Sequence, residues 1–171
     1  EFSNVVPNSS WDLVAMVSGP EPQRTFFEEN VVKFANRNNV KTLILSGKPG
    51  EKETIQPDGF VTIMPNLDDL SIAQVVLGAK FLLCRAGYST IMDLAALNRS
   101  AVLVPTPGQT EQEYLAKRLD DKKMFSCCNQ KNISKLNLSW FAERELNDEI
   151  GHKFFPTPND LLNLVEKTIS K

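Results

Sequence analysis

The chain has 171 residues, of which 42% are hydrophobic and 23% are charged, and its formal net charge is −2. These values are typical of one soluble globular domain with a substantial core, and the near-neutral charge argues against a general attraction to nucleic acids or anionic membranes. No apolar run approaches the roughly 20 residues that a membrane-spanning helix needs.

Five short apolar runs alternate with helical patterns along the chain. Their continuous apolarity is typical of strands buried on both faces of a parallel sheet. The predicted strands are 13–17, 42–45, 61–64, 81–84 and 101–104, with a weaker sixth candidate at 124–127. The predicted helices are 26–35, 69–78, 89–98, 110–120 and 159–169, and one more is expected within 129–150. This order predicts an α/β fold, a Rossmann-like doubly wound parallel sheet of about six strands with helices on both faces.

The cysteines favour a reducing compartment. Cys84, Cys127 and Cys128 are odd in number, and two adjacent cysteines do not have the spacing of a metal-ligand pair. We therefore expect free thiols in a cytoplasmic protein.

The chain begins at Glu1 rather than Met and carries no signal-peptide pattern, so we expect a fragment of a longer protein rather than a natural subunit.

The segment from Cys84 to Leu97 carries the strongest functional signal. An apolar run stops at Arg85, Gly87 turns the chain, and a helical pattern with two hydroxyl residues and Asp93 follows. A parallel strand that ends in a tight turn at a helix N-terminus is a frequent site for phosphorylated ligands, because unpaired amide N–H groups point at the ligand there. We expect Arg85 at the mouth of this cleft, the alternative being a surface ion pair.

Several motifs, in this order and spacing, resemble the C-terminal half of the MurG-like glycosyltransferase family 28. They are Arg85-Ala86-Gly87, Ser89-Thr90, Asp93-Leu94-Ala95-Ala96, and the run from Ala101 to Pro105 followed by Gln112. The best match covers about residues 60 to 120, and the likeness in fold extends over the whole chain. The resemblance implies that residues 1–171 form a single Rossmann-like donor-binding domain, the C-terminal half of a two-domain GT-B enzyme.

The resemblance implies a ribose-binding role for Asp93. The family has an acid here, usually glutamate, which accepts hydrogen bonds from both ribose hydroxyls, and aspartate is one methylene shorter. The turn residue Gly87 and the hydroxyl residues Ser89 and Thr90 are implied donor-binding positions beside it. From the residues alone, Asp93 in the first turn of its helix also fits a capping box with Thr90.

The loop after the first strand corresponds to the family's glycine-rich phosphate loop. Here it holds one glycine and two prolines, and each proline lacks an N–H donor. Ser18, Gly19 and the guanidinium of Arg24 are therefore the groups expected to meet a phosphate. The alternative is that Pro22 only begins a helix.

Two further positions are carried over from the family. Its pair of sugar-binding glutamines falls on Gln112 and Glu113, and the acid at the second position departs from the pattern. The alternative is that the acids of this segment complement a helix dipole. Backbone groups at Met64 are expected at the uracil edge.

The implied reaction is an inverting, metal-independent transfer from a UDP-sugar, with UDP-N-acetylglucosamine as a candidate donor and no cofactor. The catalytic base and the acceptor site are expected in a missing N-terminal domain or partner chain, so the fragment alone is expected to be inactive. A membrane lipid or glycan acceptor would bring the protein to the inner face of the membrane.

Three alternatives stay open at this point. The chain is also compatible with the donor-binding subunit of a two-chain glycosyltransferase, with a UDP-sugar hydrolase or epimerase, and with a non-catalytic nucleotide-binding module. The single histidine, His152, lies outside every matched motif and is expected to be structural or exposed.

Overall fold

The computed structural model describes residues 5–48 and 55–143, with the side chains of 55–58 left out. The strands are β1 Leu13–Met16, β2 Thr42–Leu45, β3 Ile55–Asp58, β4 Val61–Met64, β5 Phe81–Cys84, β6 Val102–Leu103 and β7 Ser126–Cys127. The α-helices are α1 Gln23–Asn38, α2 Asp69–Gly78, α3 Tyr88–Ala96, α4 Thr110–Asp121 and α5 Leu138–Ala142, and a 3₁₀ helix spans Gln130–Lys135.

These strands form one sheet in the order β3-β4-β2-β1-β5-β6-β7. Six strands are parallel, and β3 pairs with β4 in antiparallel orientation at the edge. The six parallel strands were predicted, including the weaker candidate that becomes β7. β3 was not, because its sequence Ile-Gln-Pro-Asp is mostly polar and holds a proline, which sheets accept chiefly at edges.

The helices cover both faces of this sheet, which explains the continuous apolar runs. On one face, α2, α3 and α4 pack over alternate strand residues such as Val14, Leu82 and Leu103. On the other face, α1 and the segment around Phe141 pack over the intervening residues, such as Ala15 and Leu83. Both sides of each central strand are therefore apolar, as a doubly wound sheet requires. The predicted α/β fold is confirmed.

The helix predictions are confirmed for the first four helices. The segment 129–150 holds the 3₁₀ helix and α5 in its described part, whereas the predicted helix 159–169 and His152 lie outside the described residues. No helix in the described ranges has the length and apolarity needed to cross a membrane.

Strand β1 lies at the point where the chain changes direction across the sheet. The chain proceeds from β1 through β2 to β4 on one side and from β5 through β6 to β7 on the other. In doubly wound sheets, ligands bind in the crevice at the carboxyl ends of the strands at such a switch point. A ligand is therefore expected near the connections after β1, β5 and β6.

Candidate functional site

Three connections meet at the carboxyl end of the sheet: 17–22 after β1, 85–87 after β5 and 104–109 after β6. Glycines allow two of these turns, since Gly19 has φ +105° and Gly108 has φ +82°, values that side chains disfavour. The first and third connections touch: a methyl group added to Gly19 would lie 3.5 Å from Oγ1 of Thr106. The backbone conformation of Gly19, rather than a lack of space, therefore favours glycine at this position.

A hollow of about 440 Å³ opens where α3 and α4 begin, and we call it the helix-end hollow. It is lined by residues from the two strand-to-helix connections and the first turns: Ala86, Gly87, Tyr88, Gly108, Gln109, Thr110, Glu111 and Gln112. The N-cap residues are Gly87 for α3 and Gln109 for α4, and no side chain caps either helix by a hydrogen bond. First-turn amides without intrahelical partners favour an anion or a polar ligand.

The two sides of the helix-end hollow differ in charge. The first turn of α3 contains no acid, whereas that of α4 contains Glu111 and Glu113. The α3 side, which begins with Gly87 and Tyr88, therefore suits a phosphate, and the α4 side suits groups that donate hydrogen bonds.

Gln112 and Glu113 brace the connection that precedes α4. Oε1 of Gln112 accepts a hydrogen bond from the backbone N–H of Thr106 at 2.9 Å, and its Nε2 lies 2.6 Å from Oε1 of Gln109. Oε1 of Glu113 accepts from the backbone N–H of Gly108 at 3.1 Å. These side chains thus set the shape of the α4 wall, and Gln112 also lines the hollow.

Asp93 lines a second hollow, of about 260 Å³, between α2 and α3. The α2–α3 hollow is formed by Asp69, Ile72, Ala73, Asp93, Ala96 and Leu97. The helix α3 begins at Tyr88, so Asp93 lies in its second turn, not in the first as expected. The capping-box alternative is also wrong, because the N-cap is Gly87 and no side-chain cap bond forms. Asp93 is exposed and therefore accessible to a ligand in this hollow.

The connection after β1, which was expected to bind a phosphate, contains the carboxylate of Glu21. Glu21 accepts hydrogen bonds from the backbone N–H and Oγ1 of Thr25 at 3.2 and 2.8 Å. It also pairs with Arg24, whose Nε lies 2.8 Å away. Hydrogen bonds from Thr25 and Arg24 lower the pKa of Glu21 below its ordinary value. Of the three residues expected to meet a phosphate, Arg24 therefore already has an anionic partner, whereas Ser18 and Gly19 are exposed. Pro22 is the N-cap of α1, which begins at Gln23.

Arg85 is not at the mouth of the cleft, and neither the expected position nor the surface ion pair is correct. Its side chain is 1% exposed and donates hydrogen bonds to backbone carbonyls of Ser18, Gln23 and Val104. Its guanidinium lies 4.4 Å from the ring centre of Phe27. Burial lowers the pKa of Arg85 to about 10, so the group remains a cation at neutral pH. The connections after β1 and β6 pack over the Arg85 side chain, which donates hydrogen bonds to their backbone carbonyls.

Met64 does not line either hollow. Its carbonyl accepts a hydrogen bond from the backbone N–H of Ser46 at 2.9 Å, and its side chain packs against the core. The backbone hydrogen bonds of the sheet continue past the end of β4. The Met64 carbonyl, which was expected to meet uracil, therefore already accepts a hydrogen bond from the protein. Ser89 is exposed and Thr90 half-buried in the first turn of α3, and both lie outside the lining of the helix-end hollow.

A family model described as glycosyltransferase family 28 C-terminal domain matches residues 19–147. This match covers both hollows, the connections after β5 and β6, and residues 19–22 of the connection after β1. The chain belongs to glycosyltransferase family 28.

Two curated relatives carry the name UDP-N-acetylglucosamine–N-acetylmuramyl-(pentapeptide) pyrophosphoryl-undecaprenol N-acetylglucosamine transferase. The protein from Rickettsia prowazekii is 30% identical over 102 residues, which are 53% of this chain and 26% of the relative. The one from Bacillus cytotoxicus is 27% identical over 125 residues, which are 68% of this chain and 33% of the relative. The chain thus matches about a third or less of the length of these family 28 members.

Solved structures support the same fold. MurG of Acinetobacter baumannii aligns with a TM-score of 0.55 at 18% identity, over 96% of this chain and 51% of that one. The spinosyn forosaminyltransferase SpnP aligns with a TM-score of 0.57 at 13% identity, over 97% of this chain and 45% of that one. The chain therefore has the fold of about half of each protein.

Three residues with no role assigned from the sequence stand out in this family 28 domain. Tyr88 is 69% exposed at the rim of the helix-end hollow, and the signal for it was an aromatic residue directly after the turn glycine. Asp69 lines the α2–α3 hollow together with Asp93, and Glu21 lies at the N-terminus of α1. The partners of Glu21 follow it by three and four residues, so its signal was local, whereas the hollow that Asp69 lines is formed with residues of α3 more than 20 positions later.

Proposed function

We propose that this chain is the donor-binding domain of an inverting glycosyltransferase that uses a UDP-sugar without a metal ion. The observation that carries the proposal is the helix-end hollow, where α3 and α4 both begin without a side-chain cap. A leaving diphosphate carries negative charge, and helix N-termini are complementary to that charge. The positive potential comes from the fold, so the proposal requires no cation.

The charge difference between the two walls orients the donor. The acid-free first turn of α3 suits the diphosphate, next to Gly87 and Tyr88. The α4 wall, with Gln109, Thr110 and Glu111, suits a sugar, because hydroxyl groups donate to carboxylate and amide oxygens. The sugar would then lie against the connection that Gln112 and Glu113 brace.

The nucleoside is assigned to the α2–α3 hollow. Asp93 lies five residues after Tyr88 on α3, or about 7.5 Å along the helix axis at 1.5 Å per residue. One helix would therefore hold the diphosphate at its beginning and the ribose one turn later. The ribose hydroxyls would donate to the Asp93 carboxylate, and Ile72 and Ala73 offer an apolar floor.

In the proposed reaction, the acceptor oxygen forms a bond to the anomeric carbon while the bond from that carbon to the β-phosphate oxygen breaks. The acceptor's proton passes to a base in the facing half of the protein, and UDP leaves with the electron pair of the broken bond. This chain orients the donor and stabilises the departing UDP. The names of the curated relatives support UDP-N-acetylglucosamine as the donor and a lipid-linked acceptor, which would bring the protein to the inner face of a membrane.

The proposal is tested by titration calorimetry of the chain with UDP, GDP and dTDP, each with and without a chelator. We expect UDP to bind with the highest affinity and the chelator to leave that affinity unchanged. Equal affinities for the three nucleotides would contradict the uridine assignment, and loss of binding with chelator would contradict metal independence.

A further inference from the structure

We propose that Arg85 is a positioning residue that fixes the distance between the two walls of the helix-end hollow and so sets the affinity for the phosphate part of the donor. This inference rests on the proposed function, because the hollow must hold a phosphate for its width to affect binding. Arg85 itself is buried beneath the connections and does not need to touch the ligand.

The guanidinium joins three separate pieces of backbone. Nη2 donates to the carbonyl of Gln23 at 2.8 Å, at the beginning of α1, and Nε donates to the carbonyl of Ser18 at 3.2 Å. Nη1 donates to the carbonyl of Val104 at 3.3 Å, with that of Pro105 at 3.5 Å. A planar guanidinium with five fixed donors can hold several acceptors in one geometry, which a lysine ammonium cannot.

These contacts connect the two walls of the helix-end hollow. The backbone of Arg85 leads directly into Ala86, Gly87 and Tyr88, which form the α3 wall. The carbonyls that it holds at Val104 and Pro105 lead into the connection that reaches Gly108 and Gln109 on the α4 wall. The Arg85 side chain therefore links the backbone that leads into the α3 wall to the backbone that leads into the α4 wall.

The surroundings of the Arg85 guanidinium argue against a side chain that only fills space in the core. Burying a charge is costly unless it is paired, and within the described ranges no carboxylate forms a salt bridge with Arg85. Its partners are neutral carbonyls and the ring of Phe27. An apolar side chain of similar volume would avoid the cost of burying a charge but would leave the carbonyls of the connections without these hydrogen bonds.

The chain contains a matched control in Arg99. Its guanidinium also donates to two backbone carbonyls, those of Leu77 and Ala79, both at 2.7 Å. These carbonyls lie at the end of α2 and between α2 and β5, at the opposite edge of the sheet from the helix-end hollow. Arg99→Lys therefore removes a similar set of contacts without touching the walls.

The experiment compares Arg85→Lys with Arg99→Lys in the 171-residue chain. Affinities for UDP and uridine are measured by NMR titration, and melting temperatures are recorded. We expect Arg85→Lys to weaken UDP binding about tenfold, because the two walls are no longer held at the spacing that the phosphate requires, while uridine binding stays within about twofold because the nucleoside part does not meet the walls. Arg99→Lys should lower the melting temperature and leave both affinities unchanged.

The outcomes separate the two proposals. If the wild-type chain binds UDP and Arg85→Lys keeps that affinity, or loses UDP and uridine binding equally, the positioning role is overturned and the proposed function stands. If the wild-type chain binds neither ligand, the proposed function is wrong and this inference is overturned with it.

A second variant covers the case in which Arg85→Lys does not fold. Phe27→Leu removes the aromatic ring against which the Arg85 guanidinium packs at 4.4 Å. The guanidinium itself is kept. We expect a smaller shift of the UDP-to-uridine affinity ratio in the same direction. An unchanged ratio in Phe27→Leu overturns the positioning role.

Discussion

Asp93 illustrates how the position of one residue along a helix decides its role. A capping box requires the acid three residues after the N-cap, and Asp93 lies six residues after Gly87. Its carboxylate is exposed and faces the α2–α3 hollow, and it does not cap its own helix. The structure therefore removes the local alternative and leaves ligand binding as the role to be tested.

Replacing Asp93 with asparagine should weaken UDP binding by about 1.5–3 kcal/mol, because hydrogen bonds to a charged acceptor would be lost. The melting temperature should stay unchanged, since an exposed side chain that makes no cap bond contributes little to stability. Calorimetric titration and thermal unfolding of the same variant measure both quantities.

Asp121→Asn is the matched control for this variant, since it removes an exposed carboxylate at the far end of α4. It should leave UDP affinity unchanged. A lower melting temperature with unchanged affinity in Asp93→Asn would show a structural role and contradict ribose binding.

Among the elements, α1 differs from α3 and α4 at its N-terminus. Glu21 accepts hydrogen bonds from Thr25 and Arg24 there, whereas no side chain caps the other two helices. An internal carboxylate thus occupies the position that a phosphate would take in the expected loop. Because the pKa of Glu21 is lowered from 4.5, this competition persists at neutral pH and is relieved only in more acidic solution.

Glu21→Gln should therefore strengthen UDP binding about three- to tenfold, since it removes a negative charge from the connection after β1 and frees Arg24 for a phosphate. The melting temperature should fall slightly, because the amide is a weaker partner for Arg24 and Thr25. Titration at neutral pH and moderate salt measures the affinity.

Glu29→Gln provides the comparison, because Glu29 lies on the same helix and forms an exposed pair with Lys33 at 3.8 Å. It removes the same charge away from the N-terminus of α1 and should change UDP affinity by less than about twofold at physiological salt. If Glu21→Gln behaves like Glu29→Gln, Arg24 does not take part in donor binding.

For the whole molecule, the arrangement of site residues bears on what the chain can do by itself. The helix-end hollow lies at one edge of one sheet, and the proposed reaction needs a second surface to hold the acceptor and its base. Orientation of two reactants supplies on the order of 7–11 kcal/mol of barrier reduction, and a closed cleft also excludes water.

The 171-residue chain should therefore bind donor but transfer no sugar. Release of UDP from several UDP-sugars, with and without acceptor, measures this for the chain alone and for a protein that includes the facing half. Activity should appear only with the facing half. Rapid UDP release by the chain alone would contradict the proposal and favour a UDP-sugar hydrolase.

By itself, the sequence determined the fold class and the region of the site. Apolar runs, their spacing and a glycine before a helical pattern are local signals, and they gave six strands, four helices and the junction at Gly87. The edge strand β3 was not predicted, because edge strands need few apolar residues and because a proline such as Pro57 is uncommon within a strand. Likewise, the motifs around Arg85 and Asp93 were enough to indicate the family that the comparison then confirmed.

Only the tertiary structure decided what individual side chains do. The partners of Arg85 lie 62 and 67 residues earlier in the chain, so no local pattern could distinguish an exposed cation from a buried one. The division of the site into two hollows depends on how α2, α3 and α4 pack over the sheet. The position of Asp93 depended on where α3 begins, which Gly87 determines by its backbone conformation. Local chemistry selects the elements, whereas contacts between distant segments assign the roles of their side chains.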